Sequence, residues 1–112
     1  MKRSELGHPE PYKVRYFEIG NESYHGNHGD YIGVAIKAFS PKEYSEWFNK
    51  SVSLMKQRDP AIKTGAVLNH GDPAWDDTVI SMTKDKADFM IDHFYACGFT
   101  DWKDEGIIVK NT

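Results

Sequence analysis

Apolar and polar positions along the chain change their period several times, and each change marks an element. Residues 13 to 22, KVRYFEIGNE, are rich in β-branched and aromatic side chains and lie between Pro11 and the polar stretch SYHGNHGD. That profile predicts a first strand ending near Glu22. A loop follows from Ser23 to Phe39, longer than the usual 2 to 6 residues between a strand and a helix, and loops of that length are often functional. Ser40 as N-cap, Pro41 at the first helical position and Glu43 placed for a capping box then predict a helix over 41 to 58, stopped by Arg58, Asp59 and Pro60. Tyr44, Trp47, Phe48, Val52 and Met55 recur at three- and four-residue spacing, and Leu54 is expected to widen the same buried stripe.

Ile62 to Leu68 reads as a second strand, followed by a turn at Gly71 to Pro73 and a helix from Trp75 to about Thr83. ADFMIDHFYA, from Ala87 to Ala96, reads as a third strand over 87 to 95, mostly apolar but interrupted by Asp88, Asp92 and His93. Strands alternating with helices predict an α/β fold, a βαβαβ unit with a parallel sheet. After Gly98 a helical turn at TDWKDE and an extended GIIVK are expected, and there is no internal repeat.

The 112 residues allow a single domain. The net charge of −3 and a pI near 5.9, with Lys and Arg scattered, argue against nucleic acid as a partner. No apolar run approaches the ~20 residues of a membrane span, and no hydrophobic stretch follows the basic residues at the start. The expectation is a soluble, cytoplasmic chain without a signal peptide. Cys97 stands alone, so no internal disulfide can form.

In a parallel α/β sheet, ligands meet the carboxyl ends of the strands. Three polar clusters fall there: Asn21 with Glu22, Asn69 with His70, and His93 with Tyr95. Polar residues also gather wherever strands stop, and for Asn69 and His70 that plain reading is preferred. His93 and Tyr95 share a side by the period-two rule, as do Glu18 and Glu22. The two glutamates would stand about 13 Å apart along an extended strand, too far for a catalytic pair that needs roughly 5 to 5.5 Å. Glu18 is expected to be a buried, hydrogen-bonded support. His25 and His28 in HGNH could bind a metal, but no further ligand is evident, and neither a metal nor another cofactor is expected.

RYFEIGNESYHG resembles the Glu-Ile-Gly-Asn-Glu motif that closes the fourth strand of clan A glycoside hydrolases, above all the family 51 α-L-arabinofuranosidases and their relatives in families 39 and 79. Glu43 to Val67 is similar to the fourth helix and fifth strand of that family, and ADFMIDHFY to its sixth strand with a His-x-Tyr ending. The similarity runs over residues 13 to 95, leaving 96 to 112 as a tail.

The resemblance implies strands four to six of a TIM (β/α)8 barrel. It makes Glu22 the general acid/base, Asn21 a ligand of the sugar hydroxyl, and His93 and Tyr95 substrate-side residues. The substrate it implies is an arabinose- or xylose-containing glycoside. A general acid must be protonated near neutral pH, which desolvation beside an ionised carboxylate favours. The nucleophile of the family, a Glu closing the seventh strand, has no counterpart here, and Glu105 comes too early for that role. The expectations are therefore a glycosidase segment inactive by itself or, as the alternative, a carbohydrate-binding or interaction module on that fold. A barrel slice with two open edges and an inner face lined by Tyr16, Glu18 and Phe89 also implies a homo-oligomer.

Overall fold

The computed structural model describes residues 3–26 and 38–94. Its first long element is the helix α1, Pro41–Arg58, and the expected start signals are all in use. The Ser40 hydroxyl accepts from the Glu43 N–H at 3.2 Å, and the Glu43 carboxylate accepts from the Ser40 N–H at 2.9 Å. Two otherwise unpaired donors of the first turn are thereby satisfied. Tyr44, Phe48 and Val52 are buried as the spacing predicts. Leu54 does not extend the stripe: it is 55% exposed, because two residues past Val52 is about 200° around the helix.

The strands are β1, Tyr16–Ile19, β2, Lys63–Val67, and β3, Phe89–Ile91, with a second helix α2, Pro73–Thr83, between β2 and β3 in the chain. The sheet order is β1-β2-β3 and both pairings are parallel. The expected α/β fold with a parallel βαβαβ core is what the chain adopts. The strands are shorter than predicted. Lys13 has φ 55°, and Gly20 and Glu22 have φ 94° and 43°, left-handed values that a strand cannot contain. The third strand spans three residues because its partner β2 ends at Val67; Leu68 N–H donates once more to Ile91 O at 2.8 Å.

α2 begins two residues earlier than expected. Asp72 is its N-cap, accepting from the Trp75 N–H at 3.2 Å, and Pro73 takes the first helical position. A short 3-10 turn at Arg3–Leu6 was not anticipated. The elements proposed for Gly98 to Thr112, most of the Ser23 to Phe39 loop, and Tyr95 lie outside the described residues.

Ile19 and Ala66 face the helices and form the core with Tyr44, Phe48, Val52, Val67, Trp75 and Val79. In the alternate row, Glu18, Gly65 and Phe89 are register partners on the opposite face. A Cβ at Gly65 would collide with the Phe89 ring and Ile91 Cδ1, so glycine lets β3 side chains lie across β2. They reach β1: the Tyr16 and Phe89 ring centroids are 6.0 Å apart.

At the lower end, Asp88 accepts from Lys56 Nζ at 2.7 Å, from the Thr64 N–H at 2.9 Å and from Lys63 Nζ at 3.0 Å. These bonds, that from Lys56 first, hold its carboxyl well below the usual carboxylate range. α1, β2 and β3 are thus joined where β3 begins.

At the upper end the joint is Tyr44. Its hydroxyl donates to Ile19 O at 2.8 Å and accepts from the Val67 N–H at 2.7 Å, fully buried. Burial first, and Glu18 next among the groups acting upward, push the phenol far above its usual range despite the Val67 bond, so it stays a neutral donor. The expected outcome for Tyr44→Phe is a loss of about 1–3 kcal/mol, because two buried backbone groups lose their partner. Urea unfolding measures it, and a change below about 0.5 kcal/mol would show that the joint is dispensable.

Candidate active site

Past Ile19 the chain turns at once. Gly20 adopts φ 94°, and a Cβ there would run into Ser23 Oγ, so the turn requires glycine on both counts. Glu22 is held at φ 43° without being glycine, a conformation that costs of order 1 kcal/mol and persists only where surrounding contacts enforce it. Those contacts are visible: His25 N–H donates to Glu22 O at 2.8 Å, Gly26 N–H to Ser23 O at 3.3 Å and Phe39 N–H to Ser23 O at 3.0 Å. Strained backbone of this kind clusters at working side chains.

The Glu22 carboxylate meets His93. Nδ1 of His93 lies 3.2 Å from Glu22 Oε1, and Nε2 lies 3.4 Å from Glu18 Oε1. One imidazole thus stands between two carboxylates from the opposite edge of the sheet. Residues 89, 91 and 93 share a side, so the lean that carries Phe89 to Tyr16 also carries His93 to Glu18 and Glu22. The 13 Å expected between the glutamates does not hold, because the positive-φ turn ends the extended chain after Ile19. Glu18 is not buried either: its side chain is 35% exposed on the open face, against 17% for Glu22 and 22% for His93.

Glu22 and His93 form one wall of a cleft of about 280 Å3. Tyr24 and His25 come to it from the turn, Asn69 and His70 from beyond β2, and Phe94 from beyond β3. Asn69 and His70, read as ordinary strand-end residues, therefore belong to the cleft. Their loop is tied down by Asn69 N–H donating to Asp76 Oδ1 at 2.8 Å, and His70 Nδ1 lies 2.9 Å from Asp92 Oδ2. Asn21 is exposed on the turn and does not line the cleft. A larger hollow of about 380 Å3, between Tyr16, Lys63, Asp88 and Phe89, opens at the opposite ends of the strands. Sheet polarity favours the smaller cleft as the site.

The residues sequence reasoning missed, Tyr24 and Phe94, carried only a weak signal: aromatics within two residues of Glu22 and His93. His25 lines the cleft, while His28 lies outside the described residues. No group of three metal-binding side chains occurs among the described residues.

The Glu22 hydrogen bond is the main cause that raises the pKa of His93 above the ordinary histidine value, against the opposing effect of burial. A raised value in the folded chain adds stability that is complete below about pH 6.5 and disappears as pH climbs through the folded pKa. In NMR titration, His93 is expected to titrate above about 6.5, and Glu22→Gln to move its midpoint down. A wild-type midpoint at or below that value, unmoved by Glu22→Gln, would contradict the contact.

The family model for the alpha-L-arabinofuranosidase 1 domain matches residues 1–104. Among solved structures, the chain is similar to the thermostable GH51 alpha-L-arabinofuranosidase from Thermotoga petrophila RKU-1, with 36% identity and a TM-score of 0.66 over 83% of this chain and 18% of that one. It is also similar to the Thermotoga maritima alpha-L-arabinofuranosidase in its arabinose complex, with 35% identity and a TM-score of 0.67 over 87% of this chain and 18% of that one. A further arabinofuranosidase structure gives the same figures. The chain spans about 18% of the length of these structures. Curated protein sequences give no match.

Proposed function

The chain belongs to the alpha-L-arabinofuranosidase 1 domain family, and on that premise we propose that it carries the acid/base half of a retaining glycosidase site for arabinose- or xylose-containing glycosides. Its three-stranded parallel sheet with two helices matches a segment of a GH51 structure. We assign that segment to strands four to six of the barrel. The observation that carries the proposal is Glu22 itself: a carboxylate at the carboxyl end of β1, held at φ 43° in a bonded turn, lining a cleft and touching His93. A strand end that merely met water would need neither the strain nor the partner.

In this reading Glu22 first donates its proton to the glycosidic oxygen and then, as the conjugate base, takes one from water. His93, held at its far nitrogen by Glu18, favours the ionised form of Glu22 when protonated and so assists the second step, in which Glu22 acts as base. Asn21 and Tyr95 are assigned to the sugar, with Asn21 exposed beside Glu22 and free to meet a ligand from outside. A nucleophilic carboxylate must stand roughly 5 to 5.5 Å from Glu22 on the other side of the bond. No residue of this sequence is assigned that role. Among the described residues the sheet has an open face on which Tyr16 is 72% exposed, and association of copies over that face is part of the proposal.

The test replaces the matching segment of the Thermotoga petrophila enzyme with residues 3–94 of this chain. The chimera is expected to hydrolyse an aryl α-L-arabinofuranoside, and Glu22→Gln to lower kcat by about 10²–10⁴-fold, most for poor leaving groups. The 112-residue chain alone is expected to show no turnover. A Glu22→Gln chimera as active as its parent would overturn the assignment.

A further inference from the structure

A general acid fixes the position of whatever departs with its proton, because the receiving oxygen must come within about 3 Å of the carboxyl. The cleft that Glu22 lines continues past it to Tyr24, His70 and Phe94, all from segments beyond the strand ends. None of the three belongs to the row of Tyr16, Glu18 and Phe89 that faces the barrel interior. The sugar whose anomeric carbon is attacked must lie between Glu22 and a nucleophile across that interior, which leaves the outer part of the cleft for the leaving-group side of the bond.

We propose that Tyr24, His70 and Phe94 form the subsite that holds the leaving-group sugar, a neutral pentose ring, during transfer of the proton from Glu22. The proposal rests on the reading of Glu22 as the acid. Tyr24 is set edge-on against the buried Trp75, with ring centroids 5.6 Å apart, so its orientation is fixed. Phe94 is 70% exposed and meets the His70 ring edge-on at 5.2 Å. An exposed aromatic face beside polar side chains suits the C–H face of a sugar, which gains contact area without losing its hydroxyl partners. His70 supplies such a partner: Asp92 engages Nδ1 at 2.9 Å and orients the ring, leaving Nε2 for a hydroxyl. A cleft of about 280 Å3 lies just under the roughly 300–1,000 Å3 usual for small-molecule sites and suits a single ring at this position.

The experiment follows 1H–15N spectra of the 112-residue chain while xylobiose is added to about 50 mM, which covers the millimolar range expected of such a ligand. Shifts are expected at the amides of Tyr24, His70 and Phe94. Phe94→Ala and His70→Ala are each expected to weaken binding about fivefold. Both side chains are more than half exposed, so their removal leaves the core intact. Glu46→Gln, on the exposed face of α1, is expected to leave binding unchanged, and because binding is read without turnover the outcome is independent of whether Glu22 is the acid. Absent shifts, shifts confined to Tyr16, Lys63 and Phe89, or binding indifferent to both substitutions would overturn the subsite.

Discussion

One backbone residue, Val67, carries the upper end of this molecule. Its N–H donates to the Tyr44 hydroxyl at 2.7 Å and its carbonyl accepts from the Trp75 indole N–H at 3.2 Å. The β1–β2 ladder has run out there, because Gly20 turns away from the sheet, and a phenol takes the place of the next rung. The same hydroxyl holds Ile19 O, so α1 fixes the point from which both the Glu22 turn and the Asn69–His70 loop depart. Buried backbone groups left without partners each cost about 1–3 kcal/mol, so the arrangement is strongly enforced.

From that fixed end the site follows by alternation. β3 side chains lie over Gly65 and meet those of β1, which puts Phe89 beside Tyr16 and, four residues later, His93 between Glu18 and Glu22. The imidazole gains from both carboxylates, and those contacts help hold Glu22 in a backbone conformation its residue type disfavours. Fold and chemistry are coupled through glycines: Gly20 permits the turn and Gly65 permits the crossing.

Where the sequence was legible, its signals were local. Ser40, Pro41 and Glu43 delimit the start of α1 because a capping box needs only neighbours, and the alternation of elements implied a parallel sheet with Glu22 and His93 on one edge. Strand ends were overextended because they depend on how long the partner strand is and on positive φ at Lys13 and Glu22, neither of which residue type announces. The His93–Glu22 contact joins residues 71 apart in sequence and required the register of all three strands. Leu54 is apolar yet exposed, because apolar character alone does not say which side of α1 the sheet covers.

The proposed role of Glu22, as the carboxyl group that meets the bond of an arabinoside, is open to affinity labelling. An N-bromoacetyl arabinofuranosylamine places an alkylating carbon where the leaving oxygen would lie, and peptide mass spectrometry reads where it lands. The expected product is an ester on Glu22, whose formation free L-arabinose suppresses and which is absent from the Glu22→Gln chain. Labelling spread over Glu5, Glu10 and Glu46, or indifferent to arabinose, would contradict it.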